Sequence, residues 1–494
     1  MDMKKNRPYL KPFAKYVSLN VLGMLGVSCY VLADTFFISK DMGEAGLTAL
    51  NLALPVFSFI QAVALMLGVG GGIKYAVAKA EGKQKEANSI FSITLLLSGI
   101  FSVIFVLIGA FASRPITALL KANEEVFEMT NLYLSVVLYF SPAFIFNTVV
   151  TSFVRNDGNP RLAMLATLLG SLFNVVMDYV LIFPLHMGIL GAVLATGVSP
   201  VLGLLITGFH WALKKGPLHI TKTKIPAKTS FSILGLGLPS LVTEFSGGIV
   251  MIVFNSVILG LEGNVGVAAY GIVANIAFVV LSMYTGVAQG VQPLLSDAHG
   301  KKDLKAKDTL LTYSLVTVGC VSLLIYVLLA CLNKPITALF NSDNNAYLAK
   351  IAELGMIIYF IGSVFASLNA IFSTYFASIE KPFPSQAITL LKGLILIIPF
   401  IYLFSFLFDM TGVWLAYVLA EAVTLVIAII VYAVFRKRTK ASMMLDESTQ
   451  AETLCCSENV DVSIGEMTEI IVPSDATAII DIEGTDTAKG LSEN

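Results

Sequence analysis

Long continuous runs of hydrophobic residues, separated by short polar segments, occupy most of the chain. A helix that crosses a bilayer needs about 20 mostly apolar residues, and twelve stretches of this kind are present. Numbered as spans 1 to 12, they lie near 17–39, 48–73, 91–112, 130–153, 162–184, 189–213, 231–259, 268–293, 309–331, 348–376, 385–408 and 412–435. A transmembrane β-barrel would show short alternating strands instead. The pattern predicts an all-α integral membrane protein with twelve transmembrane helices.

The composition supports a membrane location. Hydrophobic residues make up 56% of the chain and charged residues 13%, and the mean hydropathy is +0.82. A soluble domain has an apolar share of about 45–50% and a charged share of about 25%. The N-terminal arm lacks a small-residue cleavage site after a short apolar core, so we expect no cleaved signal peptide.

The two halves of the chain repeat each other. The segment RPITALL at 114–120 recurs as KPITALF at 334–340, roughly 220 residues later, and we expect both segments to open an external loop. The loop EGKQKEA from Glu81 resembles HGKKDLKA from His299, and Pro160 corresponds to Pro382 at a similar separation. Several echoes in one register indicate a duplication. Because each half has an even number of spans, we expect a pseudo-two-fold axis along the membrane normal.

This repeat predicts the domain organisation. The predicted regions are an N-terminal six-helix lobe (N-lobe, 1–213), a basic cytoplasmic linker (214–228), a C-terminal six-helix lobe (C-lobe, 229–436) and an acidic cytoplasmic tail (437–494). Low hydrophobicity and like charge predict disorder for the tail. The strand-like segments 470–472 and 478–482 leave open a small fold or a docking peptide there.

The distribution of Lys and Arg predicts the orientation. The N-terminal arm and the connections after the even-numbered spans carry most of these residues. The opposite loops hold few, namely Lys40, Arg114, Lys121, Lys334 and Lys350. Because positive charge concentrates on the cytoplasmic side, we expect both termini of this multi-pass protein to lie on the cytoplasmic side of the inner membrane.

Four polar residues of the N-lobe share one depth in the outer half of the membrane. Asp34 is in span 1, Asn174 and Asp178 lie one turn apart in span 5, and Thr196 is in span 6. A charged residue at mid-membrane costs a few kcal/mol, so such residues are candidates for function. Carboxylate, amide and hydroxyl oxygens can bind a proton or a hard cation such as Na⁺. The alternative for Asn174 and Thr196 is a hydrogen bond between neighbouring helices.

A second group is predicted to contact substrate or a second cation. Glu244 in span 7 has no counterpart in the N-lobe, where the matching position is near Met24. It could instead pair with a neighbouring polar group. We assign the same role to Tyr30, Asn147 and Asn255.

Further side chains in the spans allow more than one interpretation. The rings of Phe36, Tyr179 and Phe245, like that of Tyr30, lie near the acids and could stack on a planar cation. Lys392 in span 11 is expected to extend to the cytoplasmic surface, and the role of Glu421 in span 12 is open.

Several other kinds of function have little support. The run GVGGG at 68–72 lacks the lysine spacing of a phosphate loop and suits close helix packing. Catalytic Ser-His-Asp or Cys-His arrangements are not apparent, and the five cysteines have neither disulfide nor zinc spacing. We therefore expect no enzyme activity, no cofactor, no structural metal and no nucleic-acid partner.

Three motifs resemble those of a known family. They are VLADTFFI at 31–38, NVVMDYVLIF at 174–183 and GILGAVLAT at 188–196. The chain resembles the multidrug and toxic compound extrusion (MATE) transporters over roughly 10–436. Within that family it looks closest to the MepA-like group, through GLPSLVTE at 237–244 and VFN at 253–255.

The resemblance implies a monomeric, V-shaped pair of six-helix lobes in the lipid bilayer. Such proteins export amphipathic or cationic small molecules in exchange for H⁺ or Na⁺. Asp34, Asn174, Asp178 and Thr196 match the positions that bind the coupling cation in prokaryotic relatives, and Glu244 matches a C-lobe acid of some relatives.

Two departures limit what carries over from the family. Span 1 has Gly23 and Gly26 but no proline, so bending at a proline is not expected. Span 10 has no acid between Gly362 and Phe376, so a second C-lobe carboxylate of some relatives is missing.

Two alternative functions stay open at this point. A flippase of a lipid-linked precursor would need a strongly basic cavity, and few Lys or Arg lie within the spans. A signalling or scaffold protein would act through its acidic tail. The same oxygen ligands serve H⁺ and Na⁺, so the coupling ion is also open.

Overall fold

The structure is a computed structural model that describes residues 7–120, 122–212, 216–224, 226–340 and 345–468, with the backbone alone described at 7, 44, 339–340 and 440–468. Its helices are α1 (Arg7–Ala80), α2 (Gln84–Leu119), α3 (Glu124–Tyr139), α4 (Ser141–Asn156), α5 (Pro160–Ile182), α6 (Gly188–Ala212), α7 (Ala227–Gly300), α8 (Leu304–Phe340), α9 (Ala346–Ser378), α10 (Pro382–Leu390), a π-helical segment (Leu391–Ile395) and α11 (Ile397–Thr468). These ranges contain no strand, which confirms the all-α prediction.

The helices are consistent with twelve spans. In the described ranges nine helices are long and apolar enough to cross a membrane, or ten if α3 and α4, which meet at 46°, form one span. Two of these helices contain a further break, at Gly263 in α7 and at Phe408–Asp409 in α11. When they are divided there, the predicted spans 7, 8, 11 and 12 become separate helices.

The duplication is visible in the backbone. Helices α1 and α7 each have 74 residues and each break at a glycine with positive φ, 61° at Gly43 and 63° at Gly263. Other left-handed residues also recur in pairs, at Gly82 and Lys302 and at Gly158 and Glu380. Matching the loop from Glu81 to the segment from His299 places Gly82 opposite Gly300. The structure instead places Gly82 opposite Lys302, because α1 ends at Ala80 and α7 ends at Gly300.

The sequence suggested that the segment RPITALL and its repeat begin external loops, but both start within helices. Arg114 and Pro115 lie inside α2, which continues to Leu119, and Pro335 lies inside α8. Membrane helices tolerate an internal proline because local adjustments satisfy the freed carbonyl group.

Each lobe has its own apolar core. The N-lobe core includes Ile38, Leu67 and Phe153, and the C-lobe core includes Phe360 and Trp414, all of them fully buried. The helices of each lobe therefore pack mainly around their own centre.

Glycines let the two lobes touch backbone to backbone. A Cβ atom added at Gly70 of α1 would lie 2.0 Å from the carbonyl oxygen of Ile233 in α7, and one added at Gly237 would lie 1.8 Å from that of Met66. Gly286 and Gly290 of α7 approach the first turns of α1 in the same way. We call this contact region, in which each end of α1 meets the opposite end of α7, the seam. It confirms close packing as the role of the glycine run at 68–72.

Polar side chains reinforce the seam. Arg155 of α4 donates to Gln289 of α7 at 2.7 Å. Asn156 and Gln292 exchange two amide hydrogen bonds of 3.3 and 3.2 Å. Lys74 of α1 forms an ion pair of 3.0 Å with Glu380, which follows α9. The lobes are therefore joined on this side by directional bonds as well as by packing.

The linker between the lobes follows the beginning of α2. Ser92 accepts a hydrogen bond of 2.8 Å from the backbone N–H of Thr221, and the hydroxyls of Ser89 and Thr223 lie 2.7 Å apart. Trp211 at the end of α6 donates to the carbonyl oxygen of Leu218 at 2.8 Å. These bonds hold the described part of the linker against the N-lobe.

The described residues up to 431 form one compact unit, and those from 432 onward form another. In the second unit, α11 continues as far as Thr468. The composition predicts disorder for the tail from 437 onward, so its described part differs from that prediction. This stretch holds no proline and one glycine, Gly465, so little in it interrupts a helix. The strand-like segments 470–472 and 478–482 lie outside the described residues.

A glycine-to-alanine pair tests the break in α1. Gly43 has φ 61° and ψ −142°, and no atom lies within 4 Å of an added Cβ, so Gly43→Ala changes backbone strain alone. We expect a loss of about 1–3 kcal/mol of stability, because residues with a side chain rarely adopt this conformation. The control Gly99→Ala, inside α2 with equal free space, should gain up to about 1 kcal/mol. Thermal unfolding in detergent measures both, and equal melting temperatures would contradict the strain.

Candidate cation-binding site

Four polar residues of the N-lobe are buried on three helices. Asp178 and Asn174 of α5 are 0% and 1% exposed, Thr196 of α6 is 5% exposed, and Asp34 of α1 is 7% exposed. Asn174 precedes Asp178 by one helical turn, so both project from one face of α5. These are the residues predicted to bind the coupling cation.

The amide of Asn174 connects α5 to α6. In the orientation that satisfies both neighbours, it donates to Asp178 Oδ2 at 3.1 Å and accepts from the backbone N–H of Thr196 at 3.2 Å. In the opposite orientation its Nδ2 lies 3.4 Å from Thr196 Oγ1. Asn174 therefore bonds the neighbouring helix, as the alternative interpretation expected, and also orients one oxygen of Asp178.

The two acids leave oxygen atoms unsatisfied. Asp34 Oδ1 and Asp178 Oδ1 are buried and have no hydrogen-bond partner among the described residues. The two carboxyl groups are near enough for their charges to interact. A buried polar atom without a partner is costly, and a buried charge more so. A proton or a small cation bound here would remove that cost.

Aromatic residues surround the acids. The hydroxyls of Tyr30 of α1 and Tyr133 of α3 lie within electrostatic range of both carboxyl groups. Phe37 packs its ring 6.2 Å from that of Tyr179 and 5.8 Å from that of Phe183, measured between centroids. Tyr133 was missed from the sequence, because nothing distinguishes it there from other aromatic residues in apolar spans.

Span 1, which lies in the first half of α1 and contains no proline, packs closely on α5. A Cβ atom added at Gly26 would lie 2.8 Å from Leu168 Cδ1, and one added at Gly23 would lie 3.6 Å from Thr167 Cβ. Within α1 the non-helical residue is Gly43, so the helix is continuous through both glycines and through Asp34.

The second predicted group is divided between the lobes. Tyr30 lies with the N-lobe acids, whereas Glu244 and Asn255 are half-buried on α7 and have no hydrogen bond or ion pair with the described residues. Asn147 of α4 faces α6, where a Cβ atom at Gly203 would lie 2.4 Å from its Oδ1. No hydrogen bond or ion pair between described residues joins these four, so their shared role stays a prediction.

The aromatic residues proposed to stack on a cation are well exposed. Phe36, Tyr179 and Phe245 are 59%, 55% and 47% exposed. Phe245 lies beside Phe59 of α1, with ring centroids 6.1 Å apart. This contact joins the middle of α1 to the first half of α7, next to Glu244.

Lys392 is oriented differently from the prediction. Its side chain is 16% exposed, and its Nζ lies 4.0 Å from Glu421 Oε1. The expectation that Lys392 extends to the membrane surface is wrong, because a buried carboxylate of α11 attracts its ammonium group. The sequence identified both residues but gave no reason to pair them.

Sequence reasoning also missed a bonded cluster at the end of α4. Asp157 accepts hydrogen bonds from Tyr75, Lys79 and His210 at 2.7, 2.5 and 2.8 Å. Burial favours the neutral carboxyl group, but these three bonds outweigh it and lower the pKa of Asp157. The segment NDGNP at 156–160 is a typical turn sequence, and turn chemistry alone gives no hint of these partners.

Comparison with known proteins decides the family. The family model described as MatE matches residues 21–180 and 239–403, one stretch in each lobe. The chain belongs to the MatE family. Members of this family are transporters and not enzymes, so this MatE protein is a multi-pass membrane transporter.

Individual relatives agree over most of the chain. The multidrug export protein MepA of Staphylococcus aureus (strain MRSA252) is 25% identical over 439 residues, which cover 87% of this chain and 95% of MepA. A solved structure described as the outward-facing conformation of a multidrug resistance MATE family transporter has a TM-score of 0.82 at 25% identity, covering 87% of this chain and 96% of its own. A MOP superfamily transporter from Pyrococcus furiosus, described as having a binding pocket of reverse polarity, has a TM-score of 0.79 at 26% identity, covering 84% and 94%.

Replacement of Asp157 tests the bonded cluster of this MatE protein. Asp157→Asn should cost about 2–4 kcal/mol at neutral pH, because Lys79 and buried His210 lose their anionic partner. The control Asp297→Asn removes an exposed pair with Lys301 and should cost below about 0.5 kcal/mol.

The same variants have a predicted pH dependence. Because the folded-state pKa of Asp157 is lowered, its contribution is present above the unfolded value of about 3.9 and is lost as pH falls through the folded value. The difference between wild type and Asp157→Asn should therefore narrow below about pH 4. Thermal unfolding measures this, and a pH-independent difference would argue against an ionised Asp157.

Proposed function

We propose that this chain is a secondary active exporter that moves amphipathic or cationic small molecules out of the cell in exchange for H⁺ or Na⁺. The coupling cation binds at Asp34, Asn174, Asp178 and Thr196. The observation that carries this proposal is the pair of buried, interacting carboxyl groups, each with an unsatisfied oxygen atom.

The relatives support export of drug-like compounds. MepA of Staphylococcus aureus is named a multidrug export protein, and it matches this chain along nearly its whole length. The ionisable residues singled out in spans 1, 5 and 7 are the acids Asp34, Asp178 and Glu244, which suit a cationic substrate or coupling ion. A flippase for an anionic lipid precursor would need Lys or Arg at such positions.

One helix connects the cation site to the seam. The first turns of α1 pack on Gly286 and Gly290 of α7, and Asp34 lies further along the same uninterrupted stretch. A change in the packing of Asp34 therefore moves a helix that also contributes to the contact between the lobes. Such a link allows cation binding to shift the balance between two lobe arrangements.

The direction of transport follows from the orientation. Basic residues concentrate on the side where α1 begins, so this side faces the cytoplasm and the seam closes the cytoplasmic end. Coupling requires that the cation bind the outward-facing and inward-facing arrangements with different affinities. Both termini are then cytoplasmic, and the substrate leaves on the opposite side.

Replacement of the two acids tests the site. Asp34→Asn and Asp178→Asn should insert into the membrane at wild-type levels but reduce dye efflux at least about tenfold, because the amide cannot bind or release a proton and binds Na⁺ weakly. Asp41→Asn, an exposed residue seven positions after Asp34, is the matched control and should leave efflux unchanged. Wild-type efflux in the folded double variant Asp34→Asn/Asp178→Asn would rule out this site.

Imposed gradients identify the coupling ion. In membrane vesicles with drug or dye, a pH gradient and a Na⁺ gradient are applied separately. We expect one of them to drive flux, and the Asp34→Asn/Asp178→Asn variant to lose that response. Equal flux with and without either gradient would show that transport is not coupled to H⁺ or Na⁺.

A further inference from the structure

A second buried polar cluster lies in the C-lobe. Glu421 of α11 is 5% exposed, and its Oε2 accepts a hydrogen bond of 2.7 Å from Asn369 Nδ2 of α9. The same amide donates to the main-chain oxygen of Glu421 at 2.9 Å. On the other side, Lys392 places its ammonium group 4.0 Å from Glu421 Oε1. Helix α9, the π-helical segment and α11 thus contribute one side chain each.

The cluster is incompletely bonded. At 4.0 Å, Lys392 and Glu421 are too far apart for a direct hydrogen bond. Asn369 is fully buried, and its Oδ1 has no partner among the described residues. Ser246 Oγ of α7 is also buried without a partner, and a Cβ at Gly393 would lie 2.8 Å from it. Buried polar atoms normally have hydrogen-bond partners, so Asn369 Oδ1 and Ser246 Oγ could each accept a hydrogen bond from a proton carrier or another donor.

Lys392 lies in the one π-helical segment of the described chain. Such segments often occur at functional sites. A π turn contains one more residue than an α turn, so a local change between the two would move Lys392 relative to Glu421. The neighbouring Gly393 packs against the turn of α7 that contains Ser246, two residues after Glu244. The segment therefore contacts both α11 and the helix that carries the other C-lobe acid.

The N-lobe has no charge at the corresponding place. Asn369 corresponds to Asn147 in the duplication, and both have a buried Oδ1 without a partner among the described residues. Alignment of GAVLAT at 191–196 with GVWLAY at 412–417 places Glu421 opposite Pro200. The shared scaffold therefore accommodates a neutral residue here, and stability does not require the charges.

Energetics also favour a functional role for these charges. A buried ion pair gives little net stability, and apolar replacements of similar volume are often neutral or stabilising. Ionisable residues inside membrane helices are costly and usually functional. A lysine and a glutamate that merely held helices together could be replaced by apolar residues at no loss.

We propose that Glu421 is a second proton-binding group of the transporter, with Lys392 as its counter-cation and Asn369 as the residue that positions it. This rests on the proposed function and extends it to the C-lobe. In one state the carboxylate is ionised and paired with the ammonium group. A proton from water then binds the carboxylate, neutralises it and releases Lys392 from the pair, which changes the packing of the π-helical segment.

The other titratable groups that face Glu421 are tyrosines. Tyr359 of α9 and Tyr417 of α11 interact with it, and their rings stack 4.1 Å apart. Tyr284 of α7 lies beyond, within electrostatic range of Tyr417. Tyrosine is neutral at physiological pH, so Lys392 is the charged group that responds to protonation of Glu421.

A double replacement separates a proton site from a structural pair. Lys392→Met/Glu421→Gln removes both charges while keeping similar volumes. We expect this variant to insert and to melt at or above the wild-type temperature. Efflux should nevertheless fall at least about tenfold, and its pH profile should differ from that of the wild type. Lys392→Arg keeps a cation and should retain efflux within about threefold of wild type with the wild-type pH profile.

The outcomes distinguish this inference from the proposed function. If the double variant keeps the wild-type efflux rate and pH profile in vesicles that export substrate, the pair is structural and the inference is overturned while the exporter function stands. If wild-type vesicles export nothing under either ion gradient, both are overturned. Loss of efflux with a normal melting temperature, together with rescue in Lys392→Arg, supports the C-lobe proton site.

Discussion

The close backbone contact between α1 and α7 is the constraint on which the arrangement of the molecule depends. A lipid environment provides no hydrophobic force to press helices together, so small residues and van der Waals contact must do so. Gly70 and Gly237 permit that approach between the lobes. Because α1 carries both this contact and Asp34, the position of the N-lobe acids relative to the C-lobe is set by how these two helices cross. A larger residue at Gly70 would change the crossing and the seam together.

The polar content of the two lobes differs although their backbones repeat. The N-lobe buries Asp34 and Asp178 without a basic partner among the described residues, and in the proposed function an external cation or proton balances them. The C-lobe buries Glu421 with Lys392, so a balancing charge is built into the chain. Occupancy of the proposed site at Asp34 and Asp178 depends on the ion concentration. At Glu421 the carboxylate is paired with Lys392 until a proton replaces that pairing, as we propose.

The sequence was sufficient for the spans, the duplication and the buried acids, because length, apolar runs and isolated charges are local properties. It was insufficient for pairings between distant helices. Lys392 and Glu421 were both noted, but uniformly apolar spans have no strong polar face, so their rotation about the helix axis could not be assigned. The hydrogen bonds of Asp157 could not be predicted either, because Lys79 and His210 belong to other helices. The π-helical segment has no recognisable local signature.

Both halves keep a positive φ at corresponding turns, although the residue there is glycine in the first half and a residue with a side chain in the second. Gly158 adopts a φ of 100° without strain, whereas its counterpart Glu380 has a φ of 56°, and a positive φ costs a residue with a side chain about 1–2 kcal/mol. A glycine has no side chain with which to reach another helix, whereas Glu380 extends to Lys74 across the seam. The two copies of this turn have thus diverged. Gly158 is unstrained and has no side chain to make a contact, whereas Glu380 is strained and forms an ion pair with the other lobe. Residues that look conformationally unsuited to their position in one repeat can therefore mark where that repeat has acquired a contact with the other.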